Sequence, residues 1–432
     1  MTNLSIKLII ISFILELIIP WIEAQQIHDN DNGFSSTNSK RKENKKYNDL
    51  SFSSSVIHKT TNKSDDDILE DLKIEKRNEN SIIRINDIPL KYLSEEEKQK
   101  IREEMNDIVF SSAQIDNADS NFYNILDNNE KNVYNAIYEG SIKSPPDLNI
   151  QVTLKCSINT TRFINEEFFM ITGKVITVLM YENPELWWIG NYGASYSNGT
   201  EYKDDNLKDY IVTYEMAPQN SNVYNYTMNT IDFLNKRILK VTNEIKAEIS
   251  NLGLTTEYAI LRYINEYLIR KNTYVLDENR RHIRDLYGAL VDNECVCEGY
   301  AEAFQHLARQ YGINCIIARS IDHEWNFVQM KDGNESNNKW YVVDVTWNDN
   351  GLNTLDAPLY YFLIGYNTQI PGNSKVYNNE THHQLVFSAY GTRYSFVTYP
   401  SLSLERYESN ENIDIESFHH SIDSILSKSK NY

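Results

Sequence analysis

The stretch 297–347 constrains the fold most, because its hydrophobic pattern changes from the period of a helix to that of strands. The first apolar residues recur at steps of three and four and end at a glycine, a typical helix stop: Tyr300, Phe304, Leu307, Tyr311 and Gly312. The runs that follow are rich in β-branched and aromatic residues: 313–320, 323–329 and 340–347. The pattern predicts a buried helix over 297–311 and strands after it, the first two paired as a hairpin or lying side by side. An α+β fold follows.

Composition and charge exclude several function classes. The chain has 432 residues, of which 41% are hydrophobic, enough for one large domain or two ordinary ones with buried cores. It has 42 basic against 61 acidic residues, a net charge of -19 that disfavours nucleic acid and anionic membranes as partners. The four cysteines are too few and too unevenly spaced for a disulfide framework, and none shows zinc-finger spacing. Packing must therefore stabilise the fold.

The N-terminus is similar to a secretory signal. Lys7 precedes an apolar stretch over 8–19, and a cleavage point follows Ala24. The stretch is too short for a comfortable membrane span, and no run of about 20 apolar residues recurs later. We expect a secreted, extracellular protein without stable membrane insertion after the signal (1–24) is cleaved. An uncleaved anchor is the alternative, because Ile22 is a poor match to the small residue that cleavage requires.

Composition and pattern divide the rest of the chain into four segments. Residues 25–90 are rich in Asn, Ser, Lys and Asp with hardly any aliphatic clusters, which predicts a disordered low-complexity linker. Residues 91–222 predict a smaller α+β N-terminal domain, and 223–405 predict a second domain that contains the stretch described above. Residues 406–432 predict a polar C-terminal tail in which both histidines, His419 and His420, are exposed.

Local patterns predict the elements of these segments. Capping-box patterns at Ser94 and Asp127 indicate two helix starts, and Trp187 and Trp188 are expected to be a buried pair. Strands are predicted over 150–158, 174–180 and 210–216. Amphipathic helices are predicted over 231–245 and from about 255 to 268.

Cys297 is the candidate nucleophile because it opens the helix predicted over 297–311. The free N–H groups and the dipole at a helix N-terminus stabilise an anion, so the sequence predicts a lowered thiol pKa at Cys297. The same N–H groups can hold the oxyanion formed when sulfur attacks an acyl carbon. Cys295 is the alternative nucleophile, but it lies outside the helix start. Cys315 is expected to be a small buried hydrophobe.

His323 and Asp344 supply the partners that a cysteine nucleophile needs. His323 lies at the start of the second predicted strand. Asp344 lies in the third, where alternation places it on the same face as Trp340, Val342 and Thr346. A carboxylate among valines and aromatic residues requires a partner, because an unpaired buried charge is expensive. His323 is the nearest candidate in sequence, so the three residues supply a nucleophile, a base and an orienting carboxylate.

Three blocks of this region together resemble the signature of the transglutaminase-like superfamily, and its microbial branch most: Val296-Cys297-Glu-Gly-Tyr-Ala, His323-Glu-Trp-Asn and Trp340-Tyr-Val-Val-Asp344-Val-Thr-Trp. The resemblance covers roughly 228–399 and implies a papain-like core, with the Cys-bearing helix packed on an antiparallel sheet that bears His and Asp. It assigns Cys297, His323 and Asp344 as nucleophile, general base and orienting carboxylate. Trp325 and Tyr300 are the candidate substrate-binding residues, although Trp325 also suits a purely structural role.

The resemblance implies cysteine-dependent acyl transfer through a thioester on protein or peptide substrates, including cell-wall or extracellular ones. Cross-linking through an amine acceptor and hydrolysis by a peptidase or amidase are both consistent with it. A catalytically inactive binding module is the alternative. Intact Cys297, His323 and Asp344 favour the enzyme, since an inactive copy has no chemical reason to retain all three.

We expect no cofactor and no metal. No clustered acidic loop resembles the calcium sites of animal cross-linking enzymes. His382 and His383 invite a metal interpretation, but adjacent histidines on one strand point to opposite faces. Near the nucleophile, Glu298, Asp322 and Glu324 predict an acidic mouth that favours cationic amine acceptors if these side chains face outward.

Overall fold

The computed structural model describes residues 122–218, 226–277, 280–320, 323–331, 338–349, 359–370, 376–379, 381–383, 385, 389–390, 394–395 and 399–429. The predicted signal sequence, the predicted linker and the helix expected at Ser94 lie outside these residues. The described part is a mixture of helices and antiparallel sheets, which confirms the α+β class. Within the described ranges, no helix combines the length and the apolar character needed to span a bilayer.

The N-terminal region places two helices beside a sheet. Its elements are α1 (Asn128–Ser141), β1 (Asn149–Ser157), α2 (Phe169–Glu182), β2 (Ile189–Tyr202) and β3 (Leu207–Pro218). The three strands are antiparallel in the order β1-β3-β2. The capping box predicted at Asp127 is present. The Asp127 side chain accepts a hydrogen bond from the Glu130 N–H, and the Glu130 side chain accepts one from the Asp127 N–H. Helix α1 and strands β1 and β3 therefore confirm the sequence predictions.

The strand predicted over 174–180 is wrong, because this segment belongs to α2. Its aliphatic residues are buried: Val175, Val178 and Leu179. Lys174 bonds Glu130 of α1 at 2.8 Å, and the Thr172 hydroxyl lies 3.0 Å from that of Tyr214 in β3. A helix covered by a second helix and a sheet is apolar on several sides, so its β-branched residues imitate a buried strand. Strand β2 was missed because glycine, serine and asparagine interrupt its pattern.

The elements that position the candidate site follow. They are α3 (Met228–Asn251), α4 (Glu257–Lys271), β4 (Thr273–Tyr274), β5 (Glu294–Cys295), α5 (Cys297–Arg309), β6 (Cys315–Arg319), β7 (Glu324–Lys331), β8 (Asn338–Val343), α6 (Val345–Asn348) and β9 (Phe362–Ile364). Strands β6 to β9 form an antiparallel sheet in sequence order. Helices α3, α4 and α5 and the β6–β7 pairing agree with the sequence predictions.

Helix α5 is held against the sheet by buried polar side chains as well as by its apolar face. The Asn326 amide on β7 donates to the Ala301 carbonyl at 3.0 Å. Gln305 donates to the Cys315 carbonyl on β6 at 3.1 Å and to the Tyr181 carbonyl of α2 at 2.8 Å. These bonds satisfy groups that would otherwise be buried unpaired, so they fix the position of α5 on the sheet.

The two predicted domains share one apolar core. Buried side chains on both sides of the predicted boundary at 222 form a single contact cluster. Trp187 and Trp188 are 4% and 1% exposed, which confirms the buried pair. The Trp187 indole donates to Asn235 of α3 at 2.9 Å. The N-terminal region therefore stabilises the helices that carry the candidate site, while the boundary itself lies outside the described residues.

The C-terminal segment is not a polar tail throughout. After the short strands β10 (Ala389–Tyr390) and β11 (Tyr394–Ser395), the chain forms a helix, α7 (Ile415–Ser429). Phe418, Ile422 and Ile425 on one face of α7 join the core. His419 is buried and lies 3.0 Å from Glu266 of α4, so its predicted exposure is wrong, whereas His420 is exposed as predicted. The helical spacing of the three apolar residues, hidden among polar neighbours, explains the difference.

Candidate active site

Cys297 is the first residue of α5, as predicted, and is 4% exposed. Its thiol donates to Glu298 Oε2 at 3.2 Å. Burial, the charge of Glu298 and this hydrogen bond raise the pKa of Cys297 well above its ordinary value. The expectation of a lowered pKa therefore fails, because desolvation and a neighbouring carboxylate outweigh the helix N-terminus.

The other cysteines are buried free thiols. Cys295 ends the short strand β5, and burial raises the pKa of its thiol well above the usual range. A Cβ atom at Gly299 would lie 2.5 Å from the Cys295 Cβ, so only glycine fits at that position of the Cys-Glu-Gly-Tyr motif. Cys315 is fully buried on β6, in agreement with its interpretation as a small hydrophobe.

The carboxylates around Cys297 are paired with arginines. Arg284 bonds Glu298 at 2.7 Å, and the Arg319 Nε bonds Glu324 at 2.6 Å. Glu324 is only 2% exposed. Burial alone would raise the pKa of Glu298, but Arg284 and Arg319 hold that pKa below its usual value. The expected acidic mouth does not form from these two glutamates, because both are turned inward and each is paired with an arginine. Asp322, the third residue of the expected mouth, lies outside the described residues.

His323 and Asp344 form the predicted pair. His323 Nε2 lies 2.6 Å from Asp344 Oδ2, and Asp344 is fully buried. Asp344 is not on the strand, however: β8 ends one residue earlier, and Asp344 is the N-cap of α6. Its Oδ1 accepts the Trp347 N–H at 3.0 Å. The predicted partnership is therefore confirmed, while the strand face shared with Thr346 is wrong because the chain turns into a helix there.

His383 also belongs to this cluster, which no sequence pattern predicted. His383 Nε2 lies 2.8 Å from the same oxygen, Asp344 Oδ2. His382 and His383 lie in a single helical turn rather than on a strand, and both are buried. Burial opposes ionisation of Asp344, but His323 and His383 hold its pKa well below the usual range. The only hint in the sequence was the histidine pair itself, because 39 residues separate His383 from Asp344.

Aromatic rings enclose the three side chains of this cluster. The Trp325 ring stacks on His323 with centroids 5.7 Å apart and meets His383 edge-on with centroids 4.7 Å apart. The Tyr361 ring stacks on His383 with its centroid 5.2 Å away. Tyr300, the second predicted substrate-binding residue, is fully buried and donates to Asp349 at 2.6 Å. Trp325 therefore lies at the site, and Tyr300 braces α5 against the segment after α6.

The helix that bears Cys297 and the strand that begins after His323 are joined one turn away by the Asn326–Ala301 bond. The charge of Glu324, the residue after His323, acts on Cys297. The thiol nevertheless makes its hydrogen bond with Glu298. A contact between the Cys297 sulfur and His323 stays a prediction.

A second buried histidine cluster lies in the loop before α5. His282 Nδ1 lies 2.8 Å from Asp285 Oδ2, and its Nε2 lies 2.8 Å from the Tyr226 hydroxyl. Asp285 Oδ1 accepts the N–H groups of Tyr287 and Gly288 at 2.9 and 3.2 Å. His282 has a φ of 62°, in the left-handed region that non-glycine residues rarely adopt. Sequence analysis did not identify this cluster.

Comparison with known proteins gives few matches. No family model matches the chain, and no curated protein matches it. A solved structure described as "Crystal structure of a TGase" aligns with a TM-score of 0.22 and 12% identity, covering 36% of this chain and 45% of that one. The chain thus spans less than half the length of that protein, and a likeness this weak supports no conclusion about activity.

Proposed function

We propose that this chain is a secreted, cysteine-dependent acyl transferase acting on protein or peptide substrates, with a papain-like transglutaminase core over 223–405. Cys297 is the nucleophile, His323 the general base and Asp344 the carboxylate that orients the base. The observation that supports this most is the buried 2.6 Å bond between His323 and Asp344 beside the helix that Cys297 opens. A histidine held by a buried carboxylate near a thiol is the arrangement that acyl transfer requires.

The proposed reaction has two steps. The Cys297 proton passes to His323 Nδ1, the ring nitrogen opposite the one bonded to Asp344, while sulfur attacks the acyl carbon of an amide. The C–N bond breaks, and the amine leaves with that proton, so a thioester remains on Cys297. An amine or a water molecule then gives a proton to His323 and attacks the thioester, which releases the acyl group and restores the thiol.

The surroundings of Cys297 suit this chemistry once the thiol leaves Glu298. Cys297 opens α5, and the first turn of a helix has N–H groups without partners inside the helix, so we propose that these groups hold the oxyanion. The Trp325 indole N–H is buried with no hydrogen-bond partner among the described residues, which suits it to hold an acyl oxygen. Arg284 can retain Glu298 while the sulfur is in use, because it already bonds that carboxylate.

The nature of the acceptor is also part of the proposal. Both glutamates nearest Cys297 are matched by arginines, so the site has less excess negative charge than the sequence suggested. The site therefore attracts cationic amines less strongly than expected, and water and amines are both acceptors in the proposed scheme.

A catalytically inactive binding module is the second candidate, and one observation favours it. The bond from Cys297 to Glu298 and the raised pKa of the thiol keep the sulfur protonated at neutral pH. A protonated thiol is a poor nucleophile. The two candidates differ in whether Cys297 forms a covalent acyl intermediate.

The test is intact-protein mass spectrometry after incubation with glutamine-containing peptides or activated acyl esters. We expect an adduct on Cys297 that hydroxylamine removes, and we expect it to be absent in the Cys297→Ala variant. Cys295→Ala is the matched control, because it removes a buried thiol two residues away and leaves the proposed nucleophile intact. Absence of any adduct from a folded protein, across donors of several types, would favour the binding module.

A further inference from the structure

His323, Asp344 and His383 bring three ligand atoms together in one buried place. The two Nε2 atoms and one carboxylate oxygen all lie within 4.8 Å of one another. Both nitrogens approach the same oxygen, Asp344 Oδ2, at 2.6 and 2.8 Å. A carboxylate that orients a general base needs only that one histidine as its partner, so the second histidine, His383, has no role in the proposed acyl transfer.

The three ligands come from separate elements and are each held in place. Asp344 is fixed by its capping bond to Trp347 N–H at the start of α6. His323 stacks against Trp325 just before β7, and His383 stacks against Tyr361 in its helical turn. Fixed ligands surrounded by apolar rings are typical of metal sites, in which the outer shell orients the ligands and excludes water.

We propose that His323, Asp344 and His383 bind one divalent transition-metal ion of the zinc class. Two imidazole nitrogens and one carboxylate oxygen suit Zn²⁺, Co²⁺ or Ni²⁺ and do not suit Mg²⁺ or Ca²⁺, which take oxygen ligands. Ligand atoms about 2.0 to 2.1 Å from a tetrahedral zinc ion are roughly 3.3 Å apart. The present 2.6 and 2.8 Å separations must therefore widen by only about 0.7 and 0.5 Å.

The ion takes the place of the hydrogens that now lie between the two nitrogens and the carboxylate. Each imidazole presents a neutral Nε2 lone pair to the metal and carries its proton on Nδ1. A ring that is neutral before binding therefore shifts its proton from Nε2 to Nδ1, a ring that is protonated before binding releases one proton to solvent, and Asp344 remains ionised. His382 is not a ligand of this site. Its ring lies against Trp347 with centroids 5.7 Å apart, and it makes no hydrogen bond or ion pair with Asp344 among the described residues.

Metal binding and acyl transfer use the same histidine. This consequence rests on the proposed function. When Nε2 of His323 binds a metal ion, its Nδ1 already carries the proton of the ring. Nδ1 therefore cannot accept the proton of Cys297, and Asp344, as a metal ligand, no longer orients the ring. An occupied site is therefore an inhibited enzyme. The metal site itself does not depend on the proposed function, because Cys297 is not one of its ligands.

The test is to strip the full-length protein of metal with a chelator and titrate it with Zn²⁺ alone. Binding is measured by isothermal titration calorimetry and by competition with a chromophoric chelator. We expect one ion per chain. His383→Gln should weaken binding by at least about 100-fold, since the Gln side-chain amide can still donate to Asp344 but its nitrogen has no lone pair to give the metal. His382→Gln is the matched control and should leave the affinity unchanged.

Further readouts keep the site and the proposed function separate. Co²⁺ should give intense visible absorption bands of a tetrahedral site in the parent protein and in Cys297→Ala, and weak or no bands in His383→Gln. Equal affinity in the parent, His383→Gln and His382→Gln would overturn the site, as would loss of the ion in Cys297→Ala. If His383→Gln does not fold, as judged by circular dichroism, His323→Gln replaces it with the same expected loss. Acyl transfer that persists in the zinc-saturated protein would overturn the inhibitory consequence alone.

Discussion

The two buried histidine clusters differ in how the chain assembles them. His282 and Asp285 are three residues apart, and Asp285 also binds two backbone N–H groups of its own loop. In the second cluster, Asp344 lies 21 residues after His323 and 39 residues before His383, so the fold alone brings the three together. The first cluster organises a turn. The second gathers side chains from three elements at the helix that bears Cys297, which is typical of a functional site.

The clusters also differ in the sign of their pH dependence. Burial opposes ionisation of His282, but Asp285 outweighs it and raises the pKa of that histidine. In the other cluster, two histidines lower the pKa of Asp344. The shift of His282 therefore stabilises the fold below the unfolded imidazole pKa of about 6.5, and the shift of Asp344 stabilises it above the unfolded carboxyl pKa of about 3.9.

Arg284 connects the two regions. It lies between His282 and Asp285 in the loop and bonds Glu298, which in turn accepts a hydrogen bond from the Cys297 thiol. The loop that holds the first cluster is thereby linked to Cys297 through Glu298. Substitutions in the two clusters and at Glu298 should therefore distinguish residues that only stabilise the fold from residues that take part in the proposed reaction.

The largest expected effect follows from Asp344→Asn. The substitution removes the charge that orients His323, so the rate of acyl transfer should fall by about 10³ to 10⁴-fold, as for an orienting carboxylate in a triad. Asp285→Asn is the matched variant and should keep the rate within about threefold, because its histidine takes no part in the reaction. Steady-state kinetics with the same acyl donor measures both. Similar losses in the two folded variants would erase the distinction between the clusters.

A smaller effect is expected from Glu298→Gln. The substitution removes the negative charge that helps to raise the pKa of Cys297 and leaves Arg284 without its carboxylate, so more thiolate forms at neutral pH. Alkylation of Cys297 by iodoacetamide at pH 7.5 should accelerate about tenfold, because one pKa unit changes the thiolate fraction by that factor.

Glu302→Gln is the control for this measurement. Glu302 lies one turn further along α5, and burial together with Glu324 raises the pKa of its carboxyl well above the usual range. A glutamine there keeps an acceptor for the Leu286 N–H and leaves the contact between Glu298 and Cys297 in place, so the alkylation rate should not change. A rate in Glu298→Gln no faster than in the parent would show that burial alone controls the thiol.

The smallest effect is a pH-dependent change in melting temperature in His282→Gln. The raised pKa of His282 means that its stabilisation is fully present below its unfolded pKa of about 6.5 and is lost as pH rises through the folded value. The variant should therefore melt several degrees below the parent at pH 6 and closer to the parent at pH 9. Thermal unfolding followed by circular dichroism tests this, and a gap that widens with pH would contradict it.

Much of the site could be predicted from local sequence, and the remainder depended on distant parts of the chain. The periodicity around Tyr300 and Phe304 predicted α5, and the requirement for a partner of buried Asp344 predicted His323. The turn of Asp344 into a helix cap and the approach of His383 follow from tertiary contacts that no local pattern encodes.

The errors elsewhere have the same origin. Helix α2 was predicted as a strand because burial on several sides removed its amphipathic period. The pKa of Cys297 was predicted with the wrong sign because the helix N-terminus is visible in the sequence, whereas the depth of burial and the approach of Glu298 are not.

The packing of α7 on α4 affects the order in which the protein can fold during synthesis. Glu266 is buried and finds its partner in His419, which lies 153 residues later in the chain, and Phe418 packs edge-on against Tyr263. While the ribosome is still making the C-terminal segment, this face of α4 has neither its apolar cover nor the imidazole for its carboxylate. This part of the core therefore cannot be completed before α7 has been synthesised, and a nascent chain stalled before α7 would present that face to chaperones.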